Sequence, residues 1–118
     1  MHDISANVEN RIQTLDDASF GPMVLETGGR IAVEFMSYGC GYCRAIEPLL
    51  QQVAESIEKD ETIYRVNIAA DPELADQYGI GGTPTFVIFL NGEEMGRTEG
   101  PSPNLQSVMD AVTGPFLS

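Results

Sequence analysis

Residues 31–50 read IAVEFMSYGCGYCRAIEPLL, an apolar run followed by two cysteines and then by a second apolar pattern. The run over residues 30–36 is nearly continuous, which is typical of a strand buried on both faces. From Cys40 onward, apolar residues recur at steps of three and four, which predicts a helix over residues 40–57 with a kink at Pro48. The two cysteines therefore lie where a buried strand leads into a helix.

The remaining sequence continues this alternation of strands and helices. Strands are predicted over residues 11–14, 62–68, 85–90 and 93–99. Helices are predicted over residues 16–29, with an interruption at Pro22, over residues 71–79, with Asp71 as the cap, and from Ser102–Pro103 to Gly114–Pro115. The buried face of the last helix is predicted to consist of Leu105, Val108, Met109 and Val112. Asn91–Gly92 favours a two-residue hairpin. This order predicts one α/β domain over residues 11–118, with helices covering both faces of the sheet, after a flexible arm over residues 1–10.

Composition limits the classes of partner. Acidic residues outnumber basic ones 18 to 6, giving a formal charge of −12. Such a surface repels phosphate backbones and anionic lipid, which argues against nucleic-acid and membrane partners. The chain has no apolar run long enough to span a bilayer. Its first residues lack the features of a signal peptide, although a mature secreted chain could have lost one.

The two cysteines admit three interpretations. A structural zinc site needs four ligands, usually cysteine or histidine. Besides Cys40 and Cys43, the chain has a single histidine, His2 in the terminal arm. A structural disulfide across two intervening residues would constrain the unfolded chain very little. The third interpretation is a reactive dithiol, because free N–H groups and the helix dipole at Cys40 would stabilise a thiolate. Cys43, nearly one turn further in, would be shielded, and thiol–disulfide exchange uses this asymmetry.

These motifs, in this order and spacing, resemble the thioredoxin family. The resemblance extends from about residue 11 to residue 118 and includes YRVNIAADPELADQYGIGGTPTFVIFLNGE, residues 64–93. It implies a thioredoxin fold, in which a central mixed five-stranded sheet is flanked by helices on both faces. It also implies a redox pair at the carboxyl end of a central strand, and no bound cofactor.

The resemblance assigns roles to three further residues. Pro84 matches the family's cis-proline, and the backbone of Thr83 would pair with the substrate chain; the alternative is an ordinary proline at a strand entry. Glu34 matches a buried carboxylate that is usually Asp. Burial would raise its pKa, and it would accept the proton of Cys43; the alternative is a structural ion pair with Arg65.

The chain also departs from the family's usual pattern. Met36 and Gly39 stand where thioredoxins usually carry tryptophan, so Tyr38, Gly41 and Tyr42 are expected to line the substrate surface instead. The inner dipeptide Gly-Tyr resembles that of periplasmic disulfide isomerases, which also tend to have threonine before the cis-proline. Tyr42 supplies an N–H that proline lacks, which favours a thiolate. We therefore predict a couple more oxidising than thioredoxin at about −270 mV, toward about −180 mV.

The resemblance implies a protein-disulfide oxidoreductase that reduces its substrates through Cys40 and Cys43. The expected partners are protein disulfides and thioredoxin reductase or a similar electron donor, and the protein is expected to be a monomer in the cytoplasm. An extracytoplasmic location is the alternative if a signal peptide was removed. Two other functions stay open: a disulfide oxidant or isomerase in an oxidising compartment, and a non-catalytic thioredoxin-like binding module.

Overall fold

Five strands form one mixed sheet. The computed structural model describes residues 12–57 and 61–117, the last three of these by their backbone alone. The strands are β1 (Gln13–Leu15), β2 (Arg30–Met36), β3 (Glu61–Asn67), β4 (Thr85–Leu90) and β5 (Glu93–Glu99). Their order is β1-β3-β2-β4-β5, with β1, β3 and β2 parallel to one another and β4 antiparallel to both of its neighbours, β2 and β5. The predicted mixed five-stranded sheet is confirmed, whereas the predicted arm lies outside the described residues.

The helices lie on both faces of this sheet. They are α1 (Asp17–Phe20), which continues into a π-helical turn (Gly21–Leu25), then α2 (Gly41–Ser56), α3 (Pro72–Gln77) and α4 (Leu105–Leu117). The interruption predicted at Pro22 is confirmed, because the α-helical pattern ends at Phe20. A proline has no N–H to donate, so it interrupts the regular hydrogen bonds of a helix.

Each face of the sheet carries its own apolar cluster, because successive side chains of a strand point to opposite sides. One cluster lies beneath α2 and α4 and includes Ala32, Ile46, Leu50, Val53, Ile63, Phe86, Ile88, Val108 and Val112. The other lies beneath α1, the π-helical turn and α3 and includes Leu15, Phe20, Val24, Ile31, Val33, Phe35, Leu74 and Phe89. Glu34 alternates with Val33 and Phe35 and therefore shares the face of α2 and α4.

The last helix differs from its prediction at both ends. It begins at Leu105, because the side chain of Asn104 accepts a hydrogen bond from the Ser107 N–H (2.8 Å). Leu105 is 42% exposed and is not part of the buried face. The helix also continues through Gly114 to Leu117. Gly114 does not adopt the positive φ with which glycine usually ends a helix.

Asp71 is also used differently from the prediction. It stands at the cap position of α3, but its side chain makes no capping hydrogen bond. Its Oδ1 instead accepts from the backbone N–H of Asp17, at 3.2 Å. The residue therefore connects the start of α3 to the start of α1, a long-range contact that local sequence signals do not contain.

The hairpin between β4 and β5 has the predicted geometry. Asn91 and Gly92 both have positive φ, 52° and 86°, which fits the primed turns that suit strand twist. The Asn91 side chain accepts from the Gly29 N–H (2.8 Å), and the Asn91 N–H donates to the Gly29 carbonyl (3.0 Å). A side chain at Gly92 would collide with the carbonyl of Leu25. The β4–β5 turn therefore packs against the backbone of Leu25 and Gly29, just before β2.

Candidate active site

The two cysteines lie at the carboxyl end of β2, as predicted. A tight turn follows the strand, in which the Cys40 N–H donates to the Ser37 carbonyl at 3.0 Å. Cys40 has an extended backbone and is the N-cap of α2, so its sulfur faces the unpaired N–H groups of the first helical turn. The sequence places a reactive sulfur and a helix N-terminus together.

Cys40 is a half-buried thiol whose charged form is stabilised. Its sulfur accepts a hydrogen bond from the Cys43 N–H at 3.1 Å. Burial by itself would raise the pKa of Cys40. Hydrogen bonds from the Cys43 and Thr83 side chains and from the backbone N–H groups of Cys43 and Tyr42 outweigh burial and hold the pKa below its ordinary value. The N–H of Tyr42 is thus among the groups that favour the thiolate.

Cys43 has the opposite character. It is only 1% exposed, on the inner side of α2. Burial, followed by its hydrogen bond to the Cys40 sulfur, raises the pKa of Cys43 to about 11. Both cysteines are free thiols in this structure. One thiol is thus prepared to attack, and the other stays protonated until a base removes its proton.

The loop before β4 faces the Cys40 sulfur. The Thr83–Pro84 peptide bond is cis, as predicted. The Cys40 thiol lies 3.7 Å from the Thr83 carbonyl oxygen, within the reach of a sulfur hydrogen bond. The Pro84 carbonyl in turn accepts from the Gly100 N–H at 2.9 Å. The cysteine motif and the loop before β4 therefore meet at this sulfur, and the loop after β5 is bonded to the Pro84 backbone beside it.

Glu34 lies beneath the cysteines, fully buried in the middle of β2. Its neighbour in β3 is Arg65, whose Nε lies 3.3 Å from Oε1 of Glu34. The contact has ion-pair distance but lacks hydrogen-bond geometry, so both Glu34 oxygens are without a hydrogen-bond partner. Burial, only partly offset by the charge of Arg65, raises the pKa of Glu34 to about 7.

Residues 11–111 match the thioredoxin family model. The chain belongs to the thioredoxin family.

Curated thioredoxins align with most of the chain. The chain is 32% identical over 107 residues to thioredoxin of Pyropia yezoensis, an alignment that covers 91% of this chain and 98% of that protein. It is 33% identical to thioredoxin of Rhodospirillum rubrum, over 78% of this chain and 88% of that protein. Thioredoxin 1 of Synechococcus elongatus is 32% identical, over 80% of this chain and 90% of its own. The chain is accordingly a thiol–disulfide oxidoreductase that acts on protein disulfides and has a reductase as a partner.

One charged residue of this thioredoxin site was not among the sequence predictions. Glu47, on α2, accepts a hydrogen bond from Nη2 of Arg65 at 2.6 Å and another from the Gln51 side chain at 2.7 Å. It stands four residues after Cys43, one helical turn away on the same face. That spacing is the signal in the sequence that could have identified it.

A pocket of about 170 Å³ opens beside the buried cysteine. Its lining residues are Met36, Tyr38, Cys43, Arg44, Glu47 and Arg65. Met36 is the residue that stands at one of the family's tryptophan positions. The pocket brings charged groups of α2 and β3 to the side of Cys43.

The two tyrosines of the site face different surroundings. Tyr38 is 54% exposed, and its carbonyl accepts from Nη1 of Arg44 at 2.9 Å. Tyr42 is half-buried, and its hydroxyl donates to the carbonyls of Pro101 and Gly100. Gly41, the first residue of α2, is exposed. Tyr42 therefore connects the cysteine motif to the loop after β5.

The described residues show no sign of a metal centre or of a membrane-spanning helix. Within residues 12–57 and 61–117, no group of three or more His, Cys, Asp or Glu side chains is arranged to hold a metal ion. No helix in this part of the chain combines the length and apolar character needed to cross a membrane.

Proposed function

We propose that Cys40 and Cys43 reduce protein disulfides, with Glu34 as the proton acceptor and the Thr83–Pro84 loop as the place where the substrate binds. The observation that carries this proposal is the opposite shift of the two thiol pKa values next to a cis-proline loop. A thiolate is the attacking species in exchange, and a resolving thiol must stay protected until the first step is complete.

The first step forms a mixed disulfide. The Cys40 thiolate attacks one sulfur of the substrate disulfide, and a Cys40–substrate bond replaces the substrate's own S–S bond. The other substrate sulfur leaves as a thiolate and takes a proton from solvent. The lowered pKa of Cys40 increases the fraction of this thiol that is ionised and able to attack at a given pH.

The second step releases the substrate. Cys43 gives its proton to Glu34 through water and attacks Cys40, which forms the Cys40–Cys43 bond and expels the second substrate thiolate. Two electrons have then moved from the dithiol to the substrate. Glu34 can accept the proton because its pKa of about 7 lies far above that of an exposed carboxylate and its oxygens have no hydrogen-bond partner.

The substrate is expected to bind as an extended segment along the backbone of Thr83. This proposal is supported by the distance of 3.7 Å between the Cys40 sulfur and the Thr83 carbonyl oxygen. Tyr38, Gly41 and Tyr42 would frame the bound segment from the side of the cysteine motif. An added strand of this kind gains affinity from main-chain hydrogen bonds.

The family and the charge of the chain support a proposal for its partners and location. We assign thioredoxin reductase or a similar protein as the electron donor, a monomeric state, and the cytoplasm as the location. The formal charge of −12 argues against nucleic acid and anionic membranes as partners. We also propose residues 11–118 as a single thioredoxin-like domain, since the family match covers residues 11–111.

Turnover on a protein disulfide tests this function. The protein is expected to accelerate the reduction of insulin by dithiothreitol, whereas a variant with both Cys40→Ser and Cys43→Ser is expected to give the uncatalysed rate. Precipitation of the insulin B chain provides the readout. A folded wild-type protein that leaves the rate unchanged would instead indicate a binding module.

Tyr42 is expected to raise the reduction potential. Tyr42→Pro removes an N–H that stabilises the Cys40 thiolate, so the reduced form loses stability and the potential falls by about 30 mV. Tyr42→Phe is the matched control, because it keeps the N–H and removes only the hydroxyl contacts with Pro101 and Gly100. Equilibration with glutathione measures both potentials. The idea fails if Tyr42→Pro leaves the potential unchanged, or if the wild-type value lies at or below about −270 mV.

A further inference from the structure

Arg65 is shared between two carboxylates, and the sharing is unequal. Its Nη2 is 2.6 Å from Oε1 of Glu47, whereas its Nε is 3.3 Å from Oε1 of Glu34 and lacks hydrogen-bond geometry. Glu47 is itself held, because its second oxygen accepts from Gln51. The guanidinium is therefore directed toward the pocket side of the site.

We propose that Glu47 is a positioning residue of the redox site: by holding the Arg65 guanidinium, it keeps both carboxylate oxygens of Glu34 free to take the proton of Cys43. The inference rests on the proposed role of Glu34 as proton acceptor. It goes beyond that role, because it assigns control of the acceptor to a residue of α2 whose carboxylate binds Arg65 and Gln51.

The surroundings of Glu34 leave few other charges that could exert this control. From α2 and its N-cap, the titratable and charged groups are Cys40, Cys43, Arg44 and Glu47, and from β3 the charged group is Arg65. The neighbouring strand β4 presents apolar Phe86 and Ile88, and α4 presents Val108, Ala111 and Val112. Of these groups, Arg65 and Glu47 carry the permanent charges with the largest effect on Glu34, whereas the Arg44 side chain donates to the Tyr38 carbonyl.

Glu47 disfavours the ionised form of Glu34 in two ways. Its negative charge disfavours ionisation of Glu34, and it also competes for the cation that would favour ionisation. A free guanidinium could bind the Glu34 carboxylate through two parallel hydrogen bonds, the strong geometry for this pair. Glu34 would then be a weaker base, with its oxygens occupied. Glu47 prevents this arrangement.

The test removes the charge of Glu47 and measures the titration of Glu34. In Glu47→Gln, and more strongly in Glu47→Ala, the midpoint of the Glu34 carboxyl is expected to fall by about one pH unit in the reduced protein. Carbon-13 NMR of glutamate-labelled protein gives the midpoint, and Glu34→Gln identifies the signal. The acid limb of the pH profile for substrate release from the mixed disulfide is expected to move by the same amount.

Glu55→Gln is the matched control, since Glu55 is an exposed glutamate two turns further along α2. It is expected to leave the Glu34 midpoint in place. An unchanged midpoint in both Glu47 variants, or an equal fall in Glu55→Gln, would overturn the proposal. Both of these outcomes would leave the proposed function intact, because the wild-type protein could still reduce insulin. Failure of the wild type to reduce insulin would contradict the proposed function instead.

Discussion

Cys43→Ser is expected to leave the protein covalently attached to its substrates. The Cys40 thiolate would still attack a substrate disulfide, because its stabilising contacts with backbone N–H groups and Thr83 remain. Without the second sulfur, the mixed disulfide has no intramolecular route to resolution. Turnover should fall to the uncatalysed rate while adducts accumulate.

The matched variant is Cys40→Ser, which removes the attacking sulfur and keeps the buried one. Cys43 is 1% exposed, and burial, the largest cause of its raised pKa in the wild type, remains in this variant and keeps its thiolate scarce at pH 7. This variant should neither turn over nor form adducts. Non-reducing gels and intact-mass measurement distinguish the two. Equal trapping by both variants would show that the roles of the sulfurs are not those assigned here.

Glu34→Gln is expected to change how stability depends on pH by about 3 kcal/mol. The folded protein raises the pKa of Glu34 from 4.5 to about 7, so the folded state binds this proton more tightly than the unfolded chain does. The resulting contribution is fully present below about pH 4.5 and is lost as the pH rises to about 7. Above that, the wild type carries the full destabilisation of a buried charge.

The measurement is urea denaturation of the reduced wild type and variant between pH 4.5 and pH 8. The free energy of unfolding of the variant should rise relative to that of the wild type by about 3 kcal/mol across this range. Comparison across pH removes the constant effect of burying an amide. Glu55→Gln, which removes an exposed carboxylate, controls for net charge. A difference that does not change with pH would mean that Glu34 is already ionised in the folded protein near pH 5.

The sequence predicted the parts of the site that depend on local pattern. The continuous apolar run over residues 30–36 has the bounds of β2, and Asn91–Gly92 forms the expected turn. The helix start at Cys40 was correct because a strand ending and an apolar stripe beginning are both local signals. The resemblance to thioredoxins supplied the cis bond at Pro84, which spacing and composition alone do not show.

The parts that were missed or wrong depend on contacts between distant residues. Asp71 accepts from Asp17, 54 positions away, instead of capping its own helix. The partner of Tyr42 is a carbonyl of the loop after β5, and no local pattern indicates where a long side chain will find an acceptor. Arg65 was correctly paired with Glu34, but the stronger contact with Glu47 on α2 was not anticipated.

The contacts among the three loops around Cys40 have a consequence for substrate choice. Tyr42 joins the cysteine motif to Pro101, Gly100 joins the same loop to Pro84, and Thr83 faces the Cys40 sulfur. A surface assembled before binding loses little conformational entropy when a partner arrives, so the ordering falls on the partner. Substrates whose disulfide lies in a flexible, exposed segment should therefore be reduced fastest. The reduction of a disulfide inside a rigid domain should be limited by local unfolding of that domain.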